Sequence, residues 1–192
     1  MSVSDIILSR RTVRRFKPIS VDRSLLEKMV NAGRLAPSAG NLQPLEFIAV
    51  DDGEVCREVF PCLRWAAYIT PRGNPQPGQE PMAYIVPLVN LAVREQGFEY
   101  DVGAAMENMI LAAREEGVGS CWLLSVDRER LAEILNVPQQ YRIDCVLALG
   151  YPAESPITEE FADSVKYWQD AEGVLHVPKR TLSSVFRLNR FG

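Results

Sequence analysis

The chain has 192 residues, 47% of them hydrophobic, and its 21 Lys and Arg stand against 25 Asp and Glu for a net charge of −4. That length suits one sizeable core or at most two small ones, and a pI near 5.2 argues against a nucleic-acid binder, which carries a broad basic face. The opening MSVSDIILSRR has no charged n-region leading into a long apolar run, and no stretch reaches the roughly 18 apolar residues of a membrane span, so the expected setting is the cytoplasm with no membrane partner.

The first feature along the chain is a cluster of cations. Arg10, Arg11, Arg14, Arg15 and Lys17 stand within ILSRRTVRRFKP with no acid among them. Setting these five aside leaves 16 basic against 25 acidic residues, a net of −9 for everything else. Were residues 4–15 helical, Arg10 with Arg14 and Arg11 with Arg15 would be i, i+4 neighbours, at a cost of about 0.2 to 0.5 kcal/mol per pair. A solvated face with packed arginine stems tolerates that. A phosphate outweighs it, because each charge-assisted hydrogen bond contributes about 1.5 to 3 kcal/mol and the guanidinium fork grips two oxygens. A small phosphate-bearing ligand is therefore favoured over DNA or RNA.

Asp22 is a good N-cap for a helix over 22–35, with Leu25, Leu26, Met29, Val30 and Leu35 at helical spacing. APSAGNLQP ends it in a loop, and LEFIAVDD reads as a buried strand. A short helix over EVCREVFPCLRWAAYI precedes TPRGNPQPGQEP, whose four prolines and two glycines predict an irregular surface loop. Residues 83–91, AYIVPLVNL, are a strand in which Pro87 signals a bulge or an edge. The strongest helical pattern runs over 101–116, where Val102, Ala105, Met106, Met109, Ile110 and Ala113 form one stripe, widened by Gly103, Ala104, Leu111 and Ala112. SCWLLSV is a strand, DRERLAEILNV a helix capped by Asp127, and YRIDCVLALGYP a central strand. The tail after AESPITEEF reads as an edge hairpin turning at 170–173 and a last short helix. One α+β or three-layer domain over 1–192 accommodates these elements.

Cys56, Cys62, Cys121 and Cys145 form no C-x-x-C pair and His176 is the only histidine, so a Cys/His metal site is not expected. A single histidine also leaves a Ser/His/Asp hydrolase without a supporting pattern, and His176 is read as structural.

RRTVRRF, LAPSAGNLQPLEFIAV, DVGAAMENMILAAREEGVGSCWL, LALGYP and VPKR occur here in the order and spacing of the nitroreductase family of flavoproteins, which the chain resembles over nearly its whole length. The resemblance implies an α+β, three-layer fold with a central, mostly antiparallel sheet flanked by helices, and a homodimer holding one FMN per subunit at its interface. By position, Arg10, Thr12 and Arg14 match the family's Arg-x-Ser-x-Lys/Arg pattern, Arg10 serving the phosphate and Arg14 the ribityl chain and pyrimidine edge, with Arg11 as an additional cofactor contact. Pro37, Ser38, Ala39, Asn41 and Gln43 match the loop that the other subunit brings to the flavin. Backbone amides around Leu124 and Ser125 match the strand end near flavin N5, and Lys179 and Arg180 the C-terminal cations that help hold the phosphate. Arg15 and Lys17 are left as solvated surface.

Two departures stand out: Leu45 occupies a place where the family often has an aromatic residue, and Thr12 replaces the commoner serine. Residues 53–82 resemble a compact lid, with Trp65, Tyr68 and Tyr84 as pocket-lining candidates. The implied activity passes a hydride from NAD(P)H through the flavin to a nitroaromatic, quinone or similar acceptor. One site used twice gives ping-pong kinetics, and no catalytic side chain is required because the cofactor carries the chemistry. The alternatives are a specialised flavin reaction (dehalogenation, dehydrogenation or flavin cleavage) or a flavin-binding protein without turnover. No G-x-G-x-x-G follows a strand, so a nicotinamide donor would stack directly on the flavin, and NADH is not distinguished from NADPH.

Overall fold

The computed structural model describes residues 2–191. Ser2 and Asp5 close a capping box at the start of α1 (Val3–Ser9), which ends before the cations: Arg10 already has extended geometry, with φ −64° and ψ 128°. The basic run is thus a strand-like segment, and its charges are not stacked at helical i, i+4 positions. Two features favour this outcome. Thr12 and Val13 are β-branched, and the edge of a sheet lies beside them, with Thr12 bridging Ser120 in parallel.

That sheet has β1 (Leu45–Val50), β2 (Ala83–Asn90), β5 (Val146–Gly150) and β3 (Gly119–Leu123) side by side in this order, all antiparallel, and β4 (Tyr141–Ile143) against the far end of β2. Its two faces are read directly from alternation along β2. Ala83, Ile85 and Val89 pack toward α2 (Arg23–Arg34) and α4 (Glu99–Glu115). Tyr84, Val86 and Leu88 pack toward α3 (Gly53–Val59) and α5 (Arg128–Ile134). Helices therefore cover both faces, which is the α+β, three-layer arrangement expected. It also explains why β2 and β5 read as unbroken apolar runs. No helix among the described residues is long and apolar enough to cross a membrane.

Several elements differ from the sequence expectation. LEFIAVDD is an edge strand with Val50 its one buried residue, since β1 has a neighbour on one side alone. The helix at 54–69 stops at Val59, where Phe60 and Pro61 turn it into a 3₁₀ turn, and the rest of that segment is irregular. YRIDCVLALGYP is two strands broken at Asp144 and Cys145. Pro87 lies in the middle of the sheet, at the point where β2 changes partner from β5 (through Ile85) to β4 (from Leu88), so its missing N–H falls where no ladder bond is required. AESPITEEF contains β6 (Ile157–Glu160), which joins β8 (Leu175–Lys179) and β7 (Trp168–Gln169) in a separate small sheet; its parallel partner β8 is remote in sequence. The turn at 170–173 and the last helix, α6 (Leu182–Val185), are present as expected.

His176 has the structural role anticipated for it. Its ring lies between Glu159 (Nδ1 to Oε2, 3.0 Å) and Asp170 (Nε2 to Oδ2, 3.1 Å) and stacks on Trp168 with centroids 4.0 Å apart. The hydrogen bond that Asp170 accepts and then the one that Glu159 accepts raise the imidazole pKa above 6.5, against the opposing effect of burial. A raised pKa in the folded state stabilises the sheet at pH below 6.5, and this contribution is lost as pH rises through the higher, folded value. Because His176 is the sole histidine, its imidazole proton resonance gives an unambiguous titration. The midpoint should lie above 6.5, with the small sheet loosening on the alkaline side; a midpoint at or below 6.5 would contradict the bracketing.

Two glycines let the basic segment approach the sheet. A Cβ on Gly150 would lie 2.8 Å from Phe16 Cδ1, and one on Gly119 would lie 3.0 Å from both Val13 Cβ and Pro152 Cγ. Phe16 is fully buried. Gly150→Ala should therefore destabilise the protein by about 1 to 3 kcal/mol through overpacking, read from the urea midpoint, while an unchanged midpoint would show that Phe16 moves freely.

Candidate functional site

The segment over residues 10–17 is fixed through its backbone. The N–H groups of Val13, Phe16 and Lys17 donate to the carbonyls of Ser120 (2.9 Å), Gln79 (3.0 Å) and Tyr151 (2.7 Å). Those of Arg14 and Arg15 both donate to Glu154 Oε1, at 2.5 and 3.3 Å. Every N–H from 13 to 17 is thereby satisfied. Side chains at the start of the segment open into a cleft of about 360 Å³ lined by Arg10, Arg11, Lys17 and Arg114, with the hydroxyls of Ser9, Ser120 and Ser155. Glu154 is the single acidic residue in this lining, and its Oε1 is held by the two backbone N–H groups.

The four cations come from two elements, three from the 10–17 segment and Arg114 from α4. Arg10 faces Glu107 of α4 at 3.6 Å. Arg11 donates from Nε to Thr158 Oγ1 of β6 and from Nη1 to the Arg10 carbonyl. Arg114, in the last turn of α4, donates from Nε to Ser9 Oγ at 3.3 Å. Burial, followed by the fields of Arg10 and Arg114, lowers the Arg11 pKa from its usual value. Like charges thus converge on one concavity supplied with hydroxyl donors. This donor set fits a phosphate group, for which guanidinium forks and short hydroxyls are the ordinary ligands.

The remaining expected residues are distributed more widely. Thr12 bridges the edge of β3 and does not line the cleft. Arg14 points elsewhere: its guanidinium carbon sits 4.8 Å from the Tyr167 ring centre, and Nε is buried without a hydrogen-bond partner. Leu124 and Ser125 follow β3; Leu124 is 61% exposed, its carbonyl accepting from Arg128 (3.1 Å), and the Ser125 carbonyl accepts from the Arg64 N–H (3.0 Å). At about 3.3 Å per residue, Leu124 is some 13 Å along the strand from Ser120. Lys179 ends β8 and Arg180 donates to the Ser184 carbonyl at 2.7 Å; both are exposed, and neither lines the cleft.

Pro37, Ser38, Ala39, Asn41 and Gln43 form a taut loop. Gly40, Asn41 and Gln43 have φ of 62°, 53° and 51°, and Ser38 Oγ accepts the Gln43 N–H at 3.0 Å. Buried Asp101 fixes the loop by accepting the Ala39 N–H at 3.1 Å, while Arg94 pairs with Asp101 at 3.4 Å and reaches the Ala39 carbonyl at 3.5 Å. Asp101 lies near the start of α4 and Arg114 near its end. Thirteen residues of helix, at 1.5 Å each, separate loop and cleft by about 20 Å, so one chain does not bring them together.

Among the aromatic candidates, Tyr84 is wholly buried in the core and Trp65 is 6% exposed, whereas Tyr68 is 57% exposed and packs 4.9 Å from Tyr167. Cys121, next to Ser120 on β3, is also buried; burial pushes its thiol up to about 11, which leaves it protonated and unreactive near neutral pH. Sequence reasoning missed Arg114, Ser120, Glu154 and Asp101, and left Lys17 as surface. Asp101 had a detectable signal, a carboxylate in phase with the apolar stripe of α4. Arg114 had none, because a cation in the last helical turn is ordinary.

The family model described as Nitroreductase family matches residues 7–151. A protein of Archaeoglobus fulgidus, provisionally named an NADH dehydrogenase/NAD(P)H nitroreductase, is 32% identical over 158 residues, covering 78% of this chain and 84% of that protein. A 5,6-dimethylbenzimidazole synthase of Rhodospirillum rubrum is 30% identical over 177 residues, covering 78% and 82%. A Desulfovibrio desulfuricans structure, provisionally named a nitroreductase and described in complex with FMN, superposes with a TM-score of 0.70 at 22% identity, covering 100% of this chain and 99% of that one. The matched span holds the cationic segment, the taut loop and all of α4 and β3, and on that basis the chain belongs to the nitroreductase family, a family of oxidoreductases.

Proposed function

We propose that the protein is an FMN-dependent oxidoreductase that works as a homodimer, with the cofactor phosphate in the cleft that Arg10 and Arg11 line. The convergence of four cations on a hydroxyl-lined concavity carries this reading. Bound there, FMN supplies the redox chemistry, taking a hydride from NAD(P)H and passing electrons to a nitroaromatic, quinone or similar acceptor. The chain's residues bind and orient. Arg10 and Arg11 neutralise the phosphate, Arg14 supplies positive charge toward the ribityl and pyrimidine side, and the exposed end of β3 at Leu124 and Ser125 offers backbone and apolar surface to the ring. Lys179 and Arg180, on the neighbouring small sheet, add to the positive field. Cytoplasmic location is part of the same proposal.

The separation of loop and cleft supports the homodimer. A two-fold partner brings its own residues 37–43 to the first chain's cations, and the reciprocal contact completes a second site. Exposed apolar residues on α1 (Val3, Ile7 and Leu8) and at the C-terminal end (Leu182, Phe186 and Leu188) supply surface for such an interface. The likeness to a 5,6-dimethylbenzimidazole synthase, nearly as high as that to the nitroreductase-named relative, supports a second reading in which the same site performs a specialised flavin reaction.

Anaerobic addition of NADH or NADPH to the FMN-bound protein should bleach the visible flavin band, and initial rates with an acceptor should give the parallel lines of a ping-pong scheme. A flavin that neither nicotinamide reduces would overturn the donor assignment. Arg10→Ala should weaken FMN binding about 10- to 150-fold, the equivalent of a charge-assisted bond of 1.5 to 3 kcal/mol. Arg15, whose Nη2 donates to the Arg72 carbonyl at 2.8 Å, should be replaceable by alanine with little change in FMN affinity. Equal losses from both would mean that the cluster acts as a diffuse field.

A further inference from the structure

The charges around the cleft are unevenly matched. Arg10 has Glu107 at 3.6 Å, and Glu115 and Glu116 of the same helix end both pair with Lys28. Glu154 is committed to the backbone of residues 14 and 15. Arg114 makes no ion pair among the described residues; its Nε takes a neutral hydroxyl, Ser9 Oγ, and its field bears on Arg11 as a repulsion. It is half-buried and lines the cleft. The carboxyl end of α4 is also the negative end of a 17-residue helix dipole, which by itself disfavours an anion in its vicinity. A cation at that helix end offsets the dipole and so favours a phosphate in this cleft. Arg114 is the residue placed to do so.

We propose that Arg114 is a phosphate-binding residue of the cofactor site, supplying at this end of the cleft the contact that sequence resemblance assigned to Lys179 and Arg180. The inference rests on the FMN reading above. It explains why Arg11 and Arg114 are held beside Arg10 with no ion pair of their own among the described residues, since the ligand is the missing counter-charge. It also explains the position of Lys179 and Arg180 outside the cleft lining. Arg114 holds its place through Ser9 of α1, and Arg11 through Thr158 of β6.

The test compares FMN with riboflavin, which lacks the phosphate. Dissociation constants for both are measured on flavin-free, full-length protein carrying Arg114→Ala, Arg114→Gln, which keeps a long polar stem for folding, or Arg10→Ala. Thermal melts with and without inorganic phosphate provide a readout independent of flavin. Both Arg114 variants should weaken FMN at least about tenfold, leave riboflavin affinity within about twofold and lose the upward melting shift that phosphate gives the parent chain. A role confined to the helix end would lower the melting temperature without changing the FMN-to-riboflavin preference, and that result overturns the proposal. If Arg10→Ala abolishes the preference while the Arg114 variants retain it, Arg114 is excluded and the cleft stands. If no variant changes the preference, the phosphate is bound elsewhere and the underlying reading fails with it.

Discussion

The hydrogen bonding of residues 13–17 to the edge of the sheet is the constraint on which the site depends. Five consecutive N–H groups find partners on β3, in the 79–80 loop and in the stretch after β5. A helix would have satisfied these donors internally and spread the cations around a cylinder. Instead the segment is extended and pinned, Phe16 is sunk against Gly150, and Arg10 and Arg11 are held at the mouth of a cleft whose other walls are α4 and the segment after β5. Glu154 satisfies two backbone donors through Oε1, which partly offsets the one negative charge in the cleft lining.

The second organising element is α4. Its apolar stripe packs on the sheet between Val102 and Ala113, while its two ends serve different parts of the proposed site. Near the start, Asp101 and Arg94 clamp both sides of the Ala39 peptide and so hold a loop with three left-handed residues in four positions. A buried charge pair of this kind is a costly way to gain stability alone, but it fixes a backbone position well. At the other end, Arg114 joins the cations. The two ends are about 20 Å apart, and that distance supports the proposal that two copies of the chain share one site.

Much of the fold was legible because its signals are local. Asp22 and Asp127 cap their helices as their positions suggest, and the stripe from Val102 to Ala113 is buried almost residue for residue as periodicity requires. What was not legible depended on partners distant in sequence. Pro87 signalled a bulge or an edge, and the change of neighbour from β5 to β4 lets a central strand tolerate it. β6 could not be seen without β8. In the site, the likeness to a family named the cations near the N-terminus and the loop at 37–43, whereas Arg114 carried no local signal because its significance comes from the cleft it faces. Arg14 shows the same dependence: a matching motif position did not specify that its guanidinium would rest against Tyr167.

The central claim, that one flavin site is built from the cations of one chain and the loop of another, is tested most directly by complementation. Chains carrying Arg10→Ala and chains carrying Ser38→Ala with Asn41→Ala are prepared separately, then refolded together, and tight FMN sites are counted by equilibrium titration. Each preparation alone should bind weakly, and the mixture should recover about one tight site per four chains, because half of randomly paired dimers contain one intact combination. Failure of the mixture to bind more tightly than its components, with mixed dimers shown to form, would mean that the cofactor site lies within a single chain.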